Sequence, residues 1–473
     1  RPLGRPPAAP LLGEEEDRLA FTPLTTQAAM LAAGEISSRR LVELSLARIE
    51  AAQPVLNAFR VVRAEAALHE AEEADRRIGL GESAPLLGVP IAIKDDVDLA
   101  GHTTPFGCSG VETPAERDAE AVRRLREAGA IVVGKTNAPE VGQWHFTEGP
   151  TYGATRNPWN TDHTPGGSSG GAAAAVAAGL VAGAMGSDGA GSIRIPAAWN
   201  GLVGLKPQRG RVSTWPEPEA FNGLSCYGPI TRTAADAALM LDALSGNVAA
   251  DRHQVPVPET PFAEQAGRDP GRLRIAISFA TPFGVVEKLD PECRTRVEAL
   301  GERLAGLGHE VEPADPSYGL VGPALVPRGM AGVDQWLRER ITDRSRLERR
   351  TVVHARFGRM LSGLPLRMAR AAEPSLRARI GRIFDRFDLV LTPTTARPAP
   401  AVGALEGRGY WATTNVAGAI CPYAWPWNVV GWPGISLPAG TTAAGLPVGA
   451  QLLGPERSEG LLLSLATQLE ATA

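Results

Sequence analysis

No two of the four cysteines in the sequence, Cys108, Cys226, Cys293 and Cys421, stand at CxxC spacing. That argues against a disulfide framework and a zinc site, and a reducing cytosol suits such usage best. The seven histidines form no HxxxH pair, so neither a metal nor another cofactor is expected. The net charge is only −4, which offers no electrostatic footprint for nucleic acid or an anionic membrane. No run of about 18 uncharged apolar residues is present, so no membrane span is expected. The stretch from Ala172 to Met185 comes closest; it is rich in Ala and Gly and reads as one buried helix. The opening "RPLGRPPAAPLLGEEEDR" has no signal-peptide core and no initiator Met. It reads as a trimmed or replaced start and, over residues 1–20, as a mobile tail. Internal repeats and long linkers are also lacking, so residues 21–473 read as a single domain.

What is present alternates helical and strand-like patterns. "SSRRLVELSLARIEAA" spaces Leu41, Leu44, Leu46 and Ile49 as one helix face, with Ser37 or Ser38 as the N-cap. "GVPIAIKDDVD" reads as a buried strand, Val89–Ile93, that runs into charge. "AEAVRRLREAGAIVVGKTN" reads as helix Ala119–Ala128, glycine, then strand Ile131–Val133, the phrase of an α/β fold. Further on, Ala235–Gly246 and Pro291–Leu307 have helical periodicity. Arg272–Ser278, "FDLVLTPT" and "PGISLPAG" read as short strands, and a Pro-rich loop covers Val255–Gly271. The Arg-rich stretch Trp336–Phe384 reads as solvated amphipathic helices.

"GGSSGG", Gly166–Gly171, is neither a P-loop, which needs a following Lys, nor GxGxxG. Taken alone it is equally a glycine turn in which Ser168 or Ser169 caps the Ala-rich helix. A second small-residue stretch, "GSDGAGSIRIPAA", presents Ser192. A helix of about 13 residues between the serines spans roughly 20 Å, and a return loop brings Ser168 and Ser192 together. Small residues ahead of Ser192 let backbone N–H groups converge on one point, as an oxyanion hole requires.

A serine nucleophile needs a base. His102, His145 and His163 lie in loops without a supporting pattern. Lys94 ends an apolar strand, where desolvation favours the neutral amine. Lowering a lysine from about 10.4 to near 7 costs roughly 4–5 kcal/mol. Asp95 and Asp96 oppose that change; on a strand Asp95 points away from Lys94, while no such argument applies to Asp96.

Lys94 after "GVPIAI", "TPGGSSGG" and "GSDGAGSIRIPAAWNGLVGLKP", with "VGKTNAPE", "YGATRNPWN", "GPITRT" and "PGISLPAG…GLPVGAQLLGP", together resemble the amidase signature family. The resemblance runs from about Leu24 to the C-terminal helix. It implies an α/β amidase signature fold, a central mixed β-sheet sandwiched between layers of α-helices. Within residues 21–473 it implies a helical part (21–80), a signature core (81–250), a substrate-shaping part (251–430) and closing strands and helix (431–473). It also implies a serine amidohydrolase that works through an acyl-enzyme. Ser192 matches the nucleophile, Ser168 the bridging serine preceded by a cis peptide, and Lys94 the base. The backbone N–H groups of Gly189, Ala190, Gly191 and Ser192 match the oxyanion hole. Ser169 matches a position that helps hold the Asp188 and Arg194 side chains. Two departures stand out. Ala190 replaces a usual glycine and cannot take positive φ cheaply, and "KDDVD" replaces a more usual Lys-Asp-Asn.

The resemblance implies a small amide as substrate, and homodimers are common among similar proteins. Gln143 and Trp144, with Phe146, occupy the stretch that lines the acyl pocket in similar proteins. Tyr410, Trp411, Tyr423, Trp425, Trp427 and Trp432, interrupted by Pro and Gly, suggest loops around an apolar cleft. The expected substrates are therefore aryl or alkyl amides and anilides, with esters and carbamates beside them. The alternative is an amidotransferase subunit that supplies ammonia for Gln-tRNA formation inside a complex.

Overall fold

The computed structural model describes residues 3–285 and 288–472. Thirteen strands occur among them: β1 (Phe59–Val62), β2 (Pro90–Lys94), β3 (Ile131–Thr136), β4 (Glu148–Gly149), β5 (Gly153–Ala154), β6 (Gly183–Asp188), β7 (Val203–Lys206), β8 (Cys226–Thr231), β9 (Arg274–Ile277), β10 (Glu310–Pro313), β11 (Leu389–Pro393), β12 (Gly434–Thr441) and β13 (Pro447–Leu453). Eleven form one sheet in the order β1-β3-β2-β6-β8-β7-β12-β13-β11-β9-β10, and β4 pairs with β5 alone. The sheet is mixed. β2 runs parallel to β3 and β6, and β9 runs parallel to β10 and β11. The remaining ladders are antiparallel. Helices cover both faces, as the near-continuous burial of β2, β3, β6 and β13 requires.

The local reasons are legible. The Ser37 side chain accepts the Arg40 N–H at 3.1 Å and starts helix Ser38–Leu56, whose Leu41, Leu44 and Ile49 are buried. Arg48 on that helix is also fully buried. It donates to the Gly179 carbonyl (2.7 Å), the Ala178 carbonyl (2.9 Å) and Asp17 (2.6 Å). Within residues 1–20, Glu14–Ala20 is helical, and Asp17 also pairs with Arg5 at 2.6 Å. Three helices fall between residues 21 and 80, with β1 inserted between the second and third.

Two readings change. The run Ala172–Met185 is not one helix: helix Gly170–Ala177 ends, the chain turns, and β6 begins at Gly183. A helix buried all round and a strand buried on both faces present the same unbroken apolar run. The segment between the serines is therefore eight helical residues and a central strand, not a longer helix and a loop. In addition, the Pro-rich loop holds a short helix, Phe262–Ala266. No helix among the described residues is long and apolar enough to cross a membrane. Since β2 and β6 run parallel, the edge where both end gathers Lys94, Ser187 and Asp188, the position where α/β sheets build their sites.

Candidate active site

Lys94, the last residue of β2, is fully buried. Its Nζ lies 2.6 Å from Ser168 Oγ and 2.7 Å from Ser187 Oγ, within hydrogen-bond distance of both. Asp96 Oδ2 is 3.5 Å away, and the Phe106 ring centre 5.4 Å. Burial pulls the Lys94 pKa below its ordinary value, while Asp96 and Asp188 push it back up. Asp95 points to the other side of the strand. It pairs with Lys135 at 3.0 Å and with Arg60, so it does not touch the Lys94 amine.

The Gly167–Ser168 peptide is cis. Gly167 packs so closely on the 144–146 backbone that an added Cβ would sit 2.6 Å from the Trp144 carbonyl oxygen. Ser169 is the N-cap residue of helix Gly170–Ala177, but its hydroxyl does not cap it. It donates to the Ser187 carbonyl at 3.1 Å and accepts the Ser187 N–H at 3.3 Å. Ser169 thus holds the main chain beside Asp188 rather than the Asp188 and Arg194 side chains, which have their own partners. Its amide donates to the Ser192 carbonyl at 3.2 Å, which ties the two serine segments together.

Asp188 and Arg194 are both fully buried and doubly bonded to each other, at 3.0 and 3.1 Å. Arg194 also donates to Asn428 Oδ1 (2.8 Å) and Gln451 Oε1 (3.0 Å). Asn428 Nδ2 returns to Asp188 Oδ1 at 2.8 Å. Burial alone would raise the Asp188 pKa, but the Arg194 guanidinium, Lys206 and Asn428 hold it well below the usual carboxylate range. The same carboxylate accepts the Gly191 N–H (2.7 Å) and the Ile193 N–H (3.2 Å) and so moulds the loop that carries Ser192.

That corrects one expectation: the Gly191 amide is committed to Asp188 and is not free for an oxyanion. The amides of Gly189, Ala190 and Ser192 make no such bond among the described residues. Positive φ falls on Gly191 (116°) and not on Ala190, so the Ala substitution leaves the loop unstrained. Ala190 is exposed and Ser192 half-buried, which leaves this loop open to a substrate.

Gln143 is held from both ends. Its Nε2 donates to Thr351 Oγ1 at 2.5 Å, and its Oε1 receives His354 Nδ1 at 2.6 Å. Burial pulls His354 down to about 4, so the ring is neutral and donates. Thr351 and His354 belong to helix Arg349–Leu361, which is therefore more than a solvated surface helix. Trp144 and Phe146 are buried and stacked, 5.9 Å apart and 4° from parallel. Arg350 lies 5.3 and 5.0 Å over their rings and also lines a cavity of about 1050 Å³ with Glu148, Tyr410 and Trp411.

The C-terminal aromatics do not surround one cleft. Tyr410 joins Trp144 and Phe146 in one cluster, whereas Trp425, Trp427 and Trp432 pack with Leu376 and Phe387 in another, and Tyr423 is buried separately. Ser187, Asn428 and Gln451 escaped the sequence reading, in which Asp96 appeared only as a charge opposing a neutral Lys94. Each reaches the site from a different segment: Ser187 through the pairing of β2 with β6, Gln451 from β13, and Asn428 from the helix Pro426–Val430. The "KDDVD" departure was the one signal that pointed to Asp96.

Residues 40–463 match the Amidase family. AmiA2 of Mycobacterium tuberculosis, named for a presumed amidase activity, is 53% identical over 452 residues, covering 95% of this chain and 93% of that protein. The 6-aminohexanoate-cyclic-dimer hydrolase of Paenarthrobacter ureafaciens is 34% identical over 478 residues, 94% of each chain. The solved structure of a bacterial aryl acylamidase of the amidase signature family superposes with a TM-score of 0.84 at 27% identity, over 96% of this chain and 97% of that one.

Proposed function

The chain belongs to the amidase signature family and hydrolyses amide C–N bonds, and from that premise we propose that Ser192 is its nucleophile, Ser168 its proton bridge and Lys94 its base. The observation that carries this reading is the buried 2.6 Å contact between Lys94 Nζ and Ser168 Oγ, on a segment bonded to the Ser192 carbonyl.

The cycle conserves every proton. Neutral Lys94 accepts the Ser168 proton as Ser168 takes the proton of Ser192. Ser192 Oγ attacks the amide carbonyl, and the resulting oxyanion lies against the amides of Gly189, Ala190 and Ser192. The relay returns its proton to the leaving nitrogen, the C–N bond breaks, and the amine departs from the acyl-enzyme. Water then gives a proton to the same relay and attacks the ester. The acid leaves and Ser192 regains its proton.

The substrates we propose are small apolar or aryl amides, with esters and carbamates accepted through the same acyl chemistry. The support is the aromatic wall of Trp144 and Phe146, whose backbone abuts Gly167, with Gln143 fixed beside it. The test is steady-state hydrolysis of p-nitroacetanilide, a longer acyl anilide, a p-nitrophenyl ester, an aryl carbamate and a cyclic bis-amide. Turnover of the anilides that vanishes in Ser192→Ala and Lys94→Ala is the expected result. Turnover of the cyclic bis-amide alone would overturn the aryl preference, and full activity in Ser192→Ala would overturn the mechanism.

A further inference from the structure

We propose, resting on the assignment of Lys94 as the base, that Asp96 is a positioning residue: through Ser187 it aims the Lys94 lone pair at Ser168, and by its charge it sets the pH at which Ser192 becomes reactive. The argument starts from the inventory of protons. A carboxylate only accepts, so the short contact between Ser187 Oγ and Asp96 Oδ2 takes the single hydroxyl proton of Ser187. Towards Lys94, Ser187 then offers only lone pairs, and the 2.7 Å contact must take an N–H from the amine. A neutral amine has two N–H groups and one lone pair. With one N–H on Ser187 and the other facing Asp96 Oδ2 at 3.5 Å, the lone pair is left for Ser168 at 2.6 Å. The proton then travels along the Ser168–Lys94 line alone, and no other hydrogen bond has to reverse.

The charge of Asp96 has little else to satisfy it. Its side chain is 6% exposed, and Oδ1 has no hydrogen-bond partner among the described residues. The other groups around Lys94 are already matched. From β6, Asp188 is paired with Arg194 at 3.0 Å. From β3, Lys135 is paired with Asp95 at 3.0 Å. From β8, Tyr227 stays neutral because burial pushes its phenol well above the ordinary value. Asp98, further along the chain, faces Arg340 at 3.6 Å. Asp96, ahead of the Arg194-paired Asp188, is therefore the main carboxylate that favours the Lys94 ammonium, against burial, which favours the amine.

The test needs no knowledge of the natural substrate. The rate at which a fluorophosphonate probe labels Ser192 is followed from acid to alkaline pH in wild type, Asp96→Asn, Asp96→Ala and Ser187→Ala, each checked for wild-type thermal unfolding. The labelling rate rises with pH as Lys94 loses its proton. Asp96→Asn keeps an acceptor for Ser187 and removes the charge, so the midpoint of the rise moves to lower pH by about 1–3 units. Asp96→Ala moves the midpoint the same way and lowers the plateau further, since Ser187 is free to turn. Ser187→Ala keeps the charge, so its midpoint stays high while the plateau falls. A folded Asp96→Asn protein with the wild-type midpoint overturns the proposal, as does an Asp96→Ala plateau equal to that of Asp96→Asn. Undiminished labelling of Ser192→Ala would instead remove the underlying assignment, and the proposal with it.

Discussion

Replacing Arg194 with leucine tests what holds the Ser192 loop. The substitution removes the guanidinium bonded to Asp188 and leaves a carboxylate with no exposed surface. Breaking a buried ion pair from one side costs about 3–5 kcal/mol, because the remaining charge stays desolvated. For a 473-residue chain the unfolding entropy is about 1 kcal/mol per kelvin, so the melting temperature should fall by about 3–5 °C. The loss should also depend on pH. In the native protein the folded pKa of Asp188 lies below its unfolded value. Its contribution is therefore complete above about pH 4 and disappears only as pH falls through the folded value. In Arg194→Leu burial is no longer opposed by the guanidinium, and the folded pKa climbs above the unfolded one. The deficit is then largest at neutral pH and shrinks on acidification towards about pH 4. Thermal and urea unfolding at pH 7.5 and pH 5 would measure it. The double variant Asp188→Asn/Arg194→Leu should recover part of the loss, since no bare charge remains. An equal deficit at both pH values, or a double variant no more stable than the single one, would refute the reasoning.

Four further outcomes are expected. Burial, with Glu348 nearby, pushes Glu140 up to about 7, above its unfolded value. Its stabilising effect is thus full below about pH 4.5 and lost as pH rises through 7, by about 3 kcal/mol, and Glu140→Gln should flatten that part of a denaturation-against-pH curve. In the loop before Ser192, Gly191→Ala should sharply lower kcat, because a Cβ there would lie 2.7 Å from Ile195 Cδ1 and 2.8 Å from Ala424 Cβ at a φ of 116°. Ala190→Gly, at an exposed position without positive φ, should change stability by less than about 1 kcal/mol in parallel unfolding curves. Gln143→Ala strands the His354 and Thr351 polar atoms at about 1–3 kcal/mol and should raise KM for an anilide more than it lowers kcat.

The parts of the molecule that could be read in advance are those whose signal is local. A cap at Ser37 or Ser38, the helix–glycine–strand phrase at Gly129 and the apolar run into Lys94 each follow from a few neighbouring residues. The Ala-rich stretch misled because burial on all sides erases periodicity, and the strand it hides, β6, is the one that carries Ser187 and Asp188. The partners of those residues were out of reach for a related reason. Asn428 and Gln451 lie more than two hundred residues along the chain from Arg194, and nothing in their flanking sequence marks them as its ligands. The aromatic residues near the C-terminus look like a set only along the chain. Folding sends Tyr410 to the wall at Trp144, and Trp425, Trp427 and Trp432 to a separate core.

β12 and β13 are the last strands in the chain, yet they stand in the middle of the sheet, between β7 and β11. On the ribosome, everything up to Pro393 emerges while the edges of β7 and β11 still have no neighbour. Each is an open row of amides and carbonyls that another nascent chain can pair with. The two halves become one sheet only when Leu453 has cleared the exit tunnel, and only then does Arg194 meet Gln451. Synthesis halted ahead of β12 should therefore give aggregates rather than a smaller working protein, and holding those edges apart is a task for chaperones until the final hairpin arrives.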